Sequence, residues 1–424
     1  MKKVEFKMKV VTPLIMSGAN QNRAEIRASS IKGLIRWWFR ELFKEKKGEG
    51  IDYSKVRERE KEIFGSALEE KGQAGKVWVS VKSEGVRIKK FGKDKRIDTR
   101  NEKGLAYLTL GGKAIGGRGY IDSDSRFTVT LMFDSSLNDT EVEDVLRAFW
   151  ASVYLGNWGF RSRRGFGSVE VEKVRVSGIE GELAETLEKV FVPFSESLFR
   201  EAKGWMKGRK ERNCWIFREF VKVRWRNLRR DSKKTTTNSL AGLKKLMGSY
   251  YDIWEVLDEV GLAWQEARKS VQENKGGTDF KLMQKGTRRL YLPSIGMPVG
   301  YFAMKLSRQL ERKYKECVEE CMKKGERKCE NKCRSGSVSW NDGNYGKDYG
   351  RLASRIILKV WNGGVGIVFV DKPWRAVKER NGKVEELKVV MRGGLARVVG
   401  VQGNEFDVED IAEDVFDKFQ FPQI

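Results

Sequence analysis

An α+β fold is predicted for the first half of the chain from three observations. Alternating apolar residues mark four strands, two stripes of 3.6-residue period mark helices, and the order is strand, helix, strand, strand, helix, strand. That βαββαβ order is the ferredoxin-like, or RRM-like, arrangement, whose sheet face often receives RNA.

The elements follow in order. KVEFKMKVV (residues 3–11) alternates and reads as a strand, followed by the loop TPLIMSGANQNRAEIR. Residues 29–46 read as a helix with Ser29 or Ser30 as N-cap. Ile31, Leu34, Ile35, Trp38 and Leu42 form its apolar stripe, while Lys32, Arg36 and Arg40 share another face at four-residue spacing. KVWVSVK (76–82) and RFTVTLMF (126–133) are the next two strands. The long link between them, residues 84–125, is rich in Gly, Lys and Arg and reads as a mobile hairpin or finger, or else as a solvated insertion. Residues 138–155 form the second helix, capped by Asn138 or Thr140, with Val142, Val145, Leu146, Phe149 and Val153 inward and Gly156 ending it. SVEVEKVRV is the last strand.

The second half is also α+β, with a large helical insertion. Residues 180–285 read as mainly helical, with Trp205, Trp215, Trp225, Trp254 and Trp264 mostly in the core, and 302–334 as a charged helical hairpin. Strands are expected at 352–360, 364–371, 385–391 and 395–401, then an amphipathic helix at 406–419. The domains are expected at 1–180 and 181–424, with the insertion at about 195–335.

Charge narrows the partners. The 424 residues carry 84 Lys plus Arg against 59 Asp plus Glu, a net +25, which suits a polyanion through counterion release. A lysine- and glutamate-rich thermophile surface would raise both signs together. Residues 200–234 hold fourteen bases and four acids, whereas 404–424 hold seven acids and one lysine. That acidic tail suits a basic protein neighbour or a helix-bundle cap. No run of eighteen apolar residues suggests a membrane span, and MKKVEFKMKV lacks the apolar stretch of a secretion signal, so a cytoplasmic protein is expected. Histidine is absent, which removes the commonest general base.

Two stretches carry chemistry. NWGFRSRRGFGSVEV (157–171) combines Gly159, Gly165 and Gly167, which allow positive φ, with Arg161, Arg163 and Arg164, suited to phosphate. Its free N–H groups are expected to meet phosphate oxygens, and Trp158, Phe160 and Phe166 to stack bases, with Phe166 alternatively anchoring the loop. A structural turn is the alternative. RASSIKGLIRWWFR (27–40) places Arg27 and two serines at a helix N-terminus, an anion-binding position. Gly33, a poor helix former, suggests a close neighbour there. An amphipathic helix with a solvated basic face explains the same residues.

Together these stretches carry a resemblance. SSIKGLIR is similar to the Ser-Ser-x-Lys-Gly-x-x-Arg segment opening the first helix of the RAMP superfamily of CRISPR proteins. RRGFGSVEV resembles that superfamily's glycine-rich loop before the last strand. TPLIMSGANQ, AEIRASSIKGLIRWWFRELF, LPSIGMPVGYF and RLASRIILKV resemble in particular the first RAMP subunits of type III-B Cmr effector complexes. The resemblance is dense over residues 10–45 and 156–171 and patchier over 285–361. It implies two tandem ferredoxin-like domains, partnership with guide or target RNA and with other RAMP subunits, and no nuclease of its own. By that resemblance the RNA-facing residues are Asn20, Gln21, Arg27, Ser29, Ser30, Lys32, Gly33, Arg36 and Arg40, then Gly159, Arg163, Arg164, Gly165 and Gly167.

Cys317, Cys321, Cys329 and Cys333 form C-x3-C-x7-C-x3-C, with Cys214 left over. Antiparallel pairing would oppose Cys321 to Cys329 and Cys317 to Cys333, holding two disulfides or one structural Zn²⁺, or leaving free thiols. No cofactor is otherwise required.

The leading expectation is a non-catalytic RNA-binding subunit. The alternative is a metal-independent RAMP endoribonuclease using Tyr107 or Tyr120 with Lys113, or Asp94 and Asp98. A scaffold that contacts only protein is the third.

Overall fold

The computed structural model describes residues 1–47, 50–66, 72–206, 221–227, 252–277, 289–290, 316, 318–325, 329, 354–361, 364–370, 377–380, 383–386, 389–392, 395–398, 405–408 and 412–419. Two compact units divide the chain: Met1–Glu266 with Ile356–Lys372 and Phe419–Ile424, and Ala267–Arg355 with Pro373–Lys418. The first unit runs past residue 180, where the N-terminal domain is expected to end, and takes in a returning segment. Among the described residues no helix is long and apolar enough to cross a membrane.

The first unit is built on β1 (Lys2–Val10), α1 (Ala28–Phe43), the short hairpin β2 (Glu45–Lys47) and β3 (Gly50–Asp52), α2 (Ser54–Phe64) and β4 (Val77–Lys82). It continues with β5 (Ile88–Lys90), α3 (Lys103–Thr109), β6 (Gly119–Ile121), β7 (Arg126–Phe133), α4 (Asp139–Tyr154) and β8 (Val169–Ser177). The main sheet has the order β4-β7-β1-β8 and is antiparallel throughout. This is the topology expected from the βαββαβ pattern, with α1 and α4 packed together over the sheet.

The period-2 pattern explains which face is covered. Val4, Phe6, Met8 and Val10 of β1 and Val129, Leu131 and Phe133 of β7 are buried, and lysines alternate with the β1 set. Ile31, Ile35, Trp38 and Phe39 of α1 and Val145, Leu146 and Phe149 of α4 close the core from above. Phe6 and Phe149 lie 4.5 Å apart between ring centroids. Asn138 caps α4 with a full capping box: its side chain accepts from the Glu141 N–H at 3.0 Å, and Glu141 accepts from the Asn138 N–H at 2.9 Å. Such a cap is worth about 1 kcal/mol.

Four expectations need correction. Arg27, not a serine, is the N-cap of α1, and no side chain caps that end. The predicted last turn of α1 is absent, because Glu45–Lys47 pairs instead with Gly50–Asp52. The link over 84–125 is a hairpin with more structure than its composition suggests: β5 and β6 pair, and α3 lies between them. A further helix, α7 (Ile253–Asn274), follows α5 (Glu182–Val190), α6 (Glu196–Met206) and the strand β9 (Val221–Asn227), so the stretch expected to be helical holds a strand. The α3–α7 crossing is nearly side-chain-free. A β-carbon on Gly104 would collide with the Asp258 carbonyl, and one on Gly261 with the Gly104 carbonyl. The Leu105 N–H donates to Asp258 Oδ1 at 2.7 Å, and Trp254 meets Phe91 and Tyr120 edge-on at 6.0 and 5.8 Å.

After β10 (Arg289–Leu290) of the second unit, β11 (Ile356–Trp361) and β12 (Gly364–Val370) return to the first unit in a three-stranded antiparallel sheet, β11-β12-β9. β11 satisfies the C-terminal carbonyls of α4. Lys359 Nζ donates to the Val153 and Gly156 carbonyls, both at 2.7 Å, and Trp361 Nε1 donates to the Tyr154 carbonyl at 2.9 Å.

The second unit also has the hairpin β13 (Val377–Arg380) and β14 (Lys383–Glu386), then β15 (Val389–Arg392), β16 (Leu395–Val398), β17 (Glu405–Val408) and α8 (Ala412–Asp417). Its four-stranded sheet is ordered β10-β17-β15-β16. The closing helix is therefore shorter than expected, and Glu405–Val408 pairs as a strand.

The glycine crossing gives a stability prediction. Gly104→Ala should lower stability by about 1–3 kcal/mol, because backbone rather than a yielding side chain stands in the way. A fall in the urea midpoint at unchanged slope would register it, and an unchanged midpoint would refute the crossing.

Candidate nucleic-acid interface

The glycine loop is seated before it is charged. At its base Thr12 Oγ1 donates to the Gly165 carbonyl at 2.7 Å and accepts from the Ser168 N–H at 2.8 Å. Asn157 Nδ2 donates to the Ser162 and Leu358 carbonyls at 2.5 and 2.8 Å, and Ser168 Oγ donates to Asn157 Oδ1 at 2.6 Å. The Gly167 N–H donates to the Pro13 carbonyl at 3.0 Å, the Trp158 N–H to the Gly167 carbonyl at 2.8 Å and the Phe160 N–H to the Ile15 carbonyl at 2.6 Å. These N–H groups, expected to face phosphate, are thus bonded inside the fold. Gly159 and Gly167 have φ of 77° and 76°, and a β-carbon on either would strike backbone of Ile15 or Trp158. Gly165, at φ 82°, lies against Leu257.

The loop's aromatics divide sharply. Trp158 is fully buried, with its Nε1 donating to the Ser152 carbonyl at 3.1 Å, so it is a core residue and not a base-stacking one. Phe166 is likewise buried and anchors the loop. Phe160 is 40% exposed.

The arginines also divide. The Arg163 guanidinium lies 4.8 Å from the Trp37 ring centroid, joining the loop to α1. Burial draws it down to about 10, opposed by Glu41, which leaves it charged at neutral pH. Arg164 sits 5.0 Å from the Trp264 ring. Arg161 sits 5.7 Å from the Phe160 ring, and burial lowers its pKa. The two segments do meet, but at Arg163 and Trp37 rather than across an open groove.

Along α1, Arg36 and Arg40 are both committed to one buried carboxylate, Glu60 of α2, at 2.6 and 2.5 Å. They are corrected from free phosphate ligands to an ion-paired set, two cations sharing one anion. Lys32 Nζ donates to the Val77 carbonyl at 2.9 Å, and burial, then Arg36, lowers its pKa. Among the described residues no close neighbour stands at Gly33: a β-carbon there meets open space.

An exposed strip remains. Asn20, Gln21, Asn22 and Arg23 are solvent-facing, as are Arg27 and Ser29 at the uncapped start of α1, with Ser30 partly exposed and Arg27 beside Glu25 at 3.2 Å. The loop is folded on itself by a Ser17–Ala24 bridge and tied to the β6 end, where the Gly119 N–H donates to the Gln21 carbonyl at 3.2 Å. That tie brings up Arg118, whose guanidinium stands 4.4 Å from the Phe160 ring. Sequence reasoning missed Arg118 because only strand pairing places it there. The lone signal was its setting in GGRGY, beside a glycine that must pass close to the Asn22 carbonyl.

Three of the nuclease candidates, Tyr120, Asp94 and Asp98, are held by contacts within the fold. Tyr120 is buried and packs tilted against Phe91, 4.3 Å between ring centroids, and burial raises its pKa. Asp94 accepts from the Lys90 N–H at 2.7 Å, and Asp98 from the Arg100 N–H at 2.9 Å and Asn101 Nδ2 at 2.7 Å.

The RAMP superfamily profile matches residues 7–170, the span that holds both motif-bearing segments. Cmr1-2 of Pyrococcus furiosus, described as a CRISPR system Cmr subunit, is 30% identical over 187 residues, spanning 40% of this chain and 95% of that protein. The chain belongs to the Cmr1 family of the RAMP superfamily. Cmr1-1 of the same organism is 31% identical over 183 residues, 42% of this chain, and the match spans about half that relative's length, 49%. The fold is that of the apo crystal structure of P. furiosus Cmr1, at TM-score 0.52 and 17% identity over 100% of this chain and 98% of that one. A chain of the type III-B Cmr-beta assembly, solved by cryo-EM with cognate target RNA, AMPPnP and ssDNA, aligns at TM-score 0.50 and 12% identity over 98% of each chain.

In this Cmr1-family chain the cysteine pattern is realised in part. Cys321 and Cys329 form a disulfide with Cα atoms 5.6 Å apart, the pairing the antiparallel hairpin expects. Cys317, Cys333 and Cys214 lie outside the described residues, as does LPSIGMPVGYF. Among the described residues no group of three or more metal-ligating side chains gathers.

Arg163→Ala should reduce stability by about 1–2 kcal/mol, since the Trp37 face loses its cation. Arg163→Lys should restore little of it, because an ammonium does not lie flat on the indole. Thermal unfolding of both variants checks this; a wild-type midpoint in Arg163→Ala would refute a stabilising role for the Trp37 contact.

Proposed function

We propose that this Cmr1-family chain is a non-catalytic RNA-binding subunit of a type III-B CRISPR ribonucleoprotein, holding guide or target RNA in antiviral defence. The observation that carries it is the exposed strip from the uncapped start of α1, through Asn20, Gln21 and Arg23, to Arg118 and Phe160. Its close ties to backbone elements position cations and an aromatic ring. The relatives are named as Cmr subunits, which supports partnership with other RAMP subunits. The net charge of +25 supports a phosphate-bearing ligand. Base pairing between guide and target would supply sequence selectivity, as RNA-guided effectors do, so the protein need only hold backbone and shape. In this reading the second half is a second ferredoxin-like domain, the two domains meet near residue 180, and the cysteine segment is a structural staple, as disulfide or zinc site.

Gly33 fits the same reading. A helical glycine facing open space forgoes about 1 kcal/mol of helix stability, and a closely approaching RNA backbone gives a reason for it.

Two outcomes are expected. Filter binding of single-stranded RNA should weaken steeply with salt, and Arg23→Ala with Arg27→Ala should flatten the log–log slope by about 1.4, some 0.7 for each phosphate no longer neutralised. No RNA retention at low salt would end the proposal. Gly33→Ala should stabilise the protein by up to about 1 kcal/mol while weakening RNA binding; a variant that binds as wild type would remove α1 from the interface.

A further inference from the structure

The N-terminal sheet has a second face. Its core face is closed by α1 and α4, while the side chains that alternate with the core set point to solvent. The register arranges them in rows across the strands. Trp78, Met132, Lys3 and Ser177 form one row, and Ser80, Thr130, Glu5 and Arg175 the next. Lys82, Thr128, Lys7 and Lys173 form the third.

Two features of these rows work against the fold alone. Trp78 keeps 44% of its surface in water on an edge strand, beside the half-buried Met132. Lys7 stands directly opposite Lys173, a like-charge pair that destabilises a sheet. The cations around them are answered. Glu5 lies 3.8 Å from Lys3 and 4.0 Å from Arg175, Asp124 lies 2.9 Å from Lys9, and Glu172 lies 2.9 Å from Arg126. Lys82, Lys7 and Lys173 are exposed and meet no carboxylate among the described residues.

The chemistry of the face selects its occupant. RNA-binding sheets of this topology stack bases on rings of the sheet. Here the two central strands, β1 and β7, turn no ring outward, and Glu5 and Glu172 stand among the cations. That pattern suits a protein surface better than a phosphate backbone. The outer rows are roughly 13 Å apart, close to the width of a helix with its side chains, and the short Ser80 and Thr130 lie between them. Along the third row, Lys7 and Lys173 stand roughly 10 and 14 Å from Lys82. A helix lying along that row brings side chains of one flank to nearly these distances after two and three turns.

We propose that this open sheet face docks an amphipathic acidic helix of a neighbouring protein subunit. The helix lays its apolar flank on Trp78 and Met132 and its carboxylates on Lys82, Lys7 and Lys173. The inference rests on the subunit reading above and deepens it by naming the face that meets a protein neighbour.

The test compares the ribonucleoprotein purified through a tagged copy of the full chain with the free chain. Each is acetylated and, separately, treated with a carbodiimide, which couples a lysine to a touching carboxylate. In the complex, Lys7, Lys82 and Lys173 should be protected from acetylation and coupled to carboxylates on one helix of another subunit. Trp78→Ala should enter the complex about tenfold less well, with the RNA retention and thermal midpoint of the free chain unchanged. Lys173→Glu should raise that midpoint, by giving Lys7 a partner, and yet also enter less well. Equal acetylation in complex and free chain overturns the proposal, as does wild-type entry by both variants. Ultraviolet links from this face to RNA, or carbodiimide links only to a second copy of the chain, overturn it in favour of those occupants. If the tagged chain brings down no other Cmr subunit, the subunit reading itself falls and the docking face with it.

Discussion

The close passage of the glycine loop over residues 12–16 is the constraint on which the rest of the first unit depends. Pro13, Ile15 and Thr12 all bond to the loop, and Gly159 and Gly167 leave no room for a side chain where backbone meets backbone. The contact joins the end of β1 to the start of β8, neighbours in the sheet, so it sets both the register of that edge and the exit of the chain into the loop over 17–24. A residue larger than glycine at 159 or 167 would lift the loop, and with it Phe160 and the arginines. The loop is therefore first a structural clasp. Its function rides on the residues that the clasp pushes outward.

Much of this was legible in the sequence. The strands of the N-terminal sheet and the capped helix α4 follow from period and capping chemistry, which are local. What was not legible is non-local. Nothing in the spacing of Arg36 and Arg40 reveals that Glu60, on the next helix, is aimed between them. Trp158 sits in a loop-like, charged neighbourhood yet is sealed in the core by α4 and β7. The 84–125 link reads as a mobile hairpin or finger, or a solvated insertion, because glycine and charge dominate its composition. Two of those glycines, Gly104 and Gly119, are there because other backbone presses on them. Composition reports the chain's own freedom; it does not report what approaches from outside.

Lys359 illustrates the same limit. A lysine inside an apolar strand reads as an outward-facing residue, but its ammonium is buried and answers two carbonyls at the C-terminus of α4. Burial draws its pKa down to about 7. The unfolded lysine would hold its proton up to about 10.4. Between those values the unfolded chain binds more protons, so this group's unfavourable contribution is relieved as pH rises through the window. Its hydrogen bonds are the compensation, and they fix β11 against the helix that carries the N-terminal core.

The contrast between the two sets of arginines explains where the strip's charge is left. Arg36 and Arg40 meet a carboxylate, which cancels half of their joint charge and fixes α2 to α1. Arg118 and Arg161 meet an aromatic ring instead. A ring attracts a guanidinium through its quadrupole and holds it in place, yet carries no net charge to cancel. The cation therefore keeps its field while losing its mobility. For a polyanion that is the favourable combination: the side chain's ordering is already done before binding, and the attraction is undiminished. An ion-paired arginine would have to leave its carboxylate first. Glu60 thus ties α1 to α2 through two arginines, whereas Arg118 and Arg161 are held beside Phe160 by a ring that leaves their charge uncancelled.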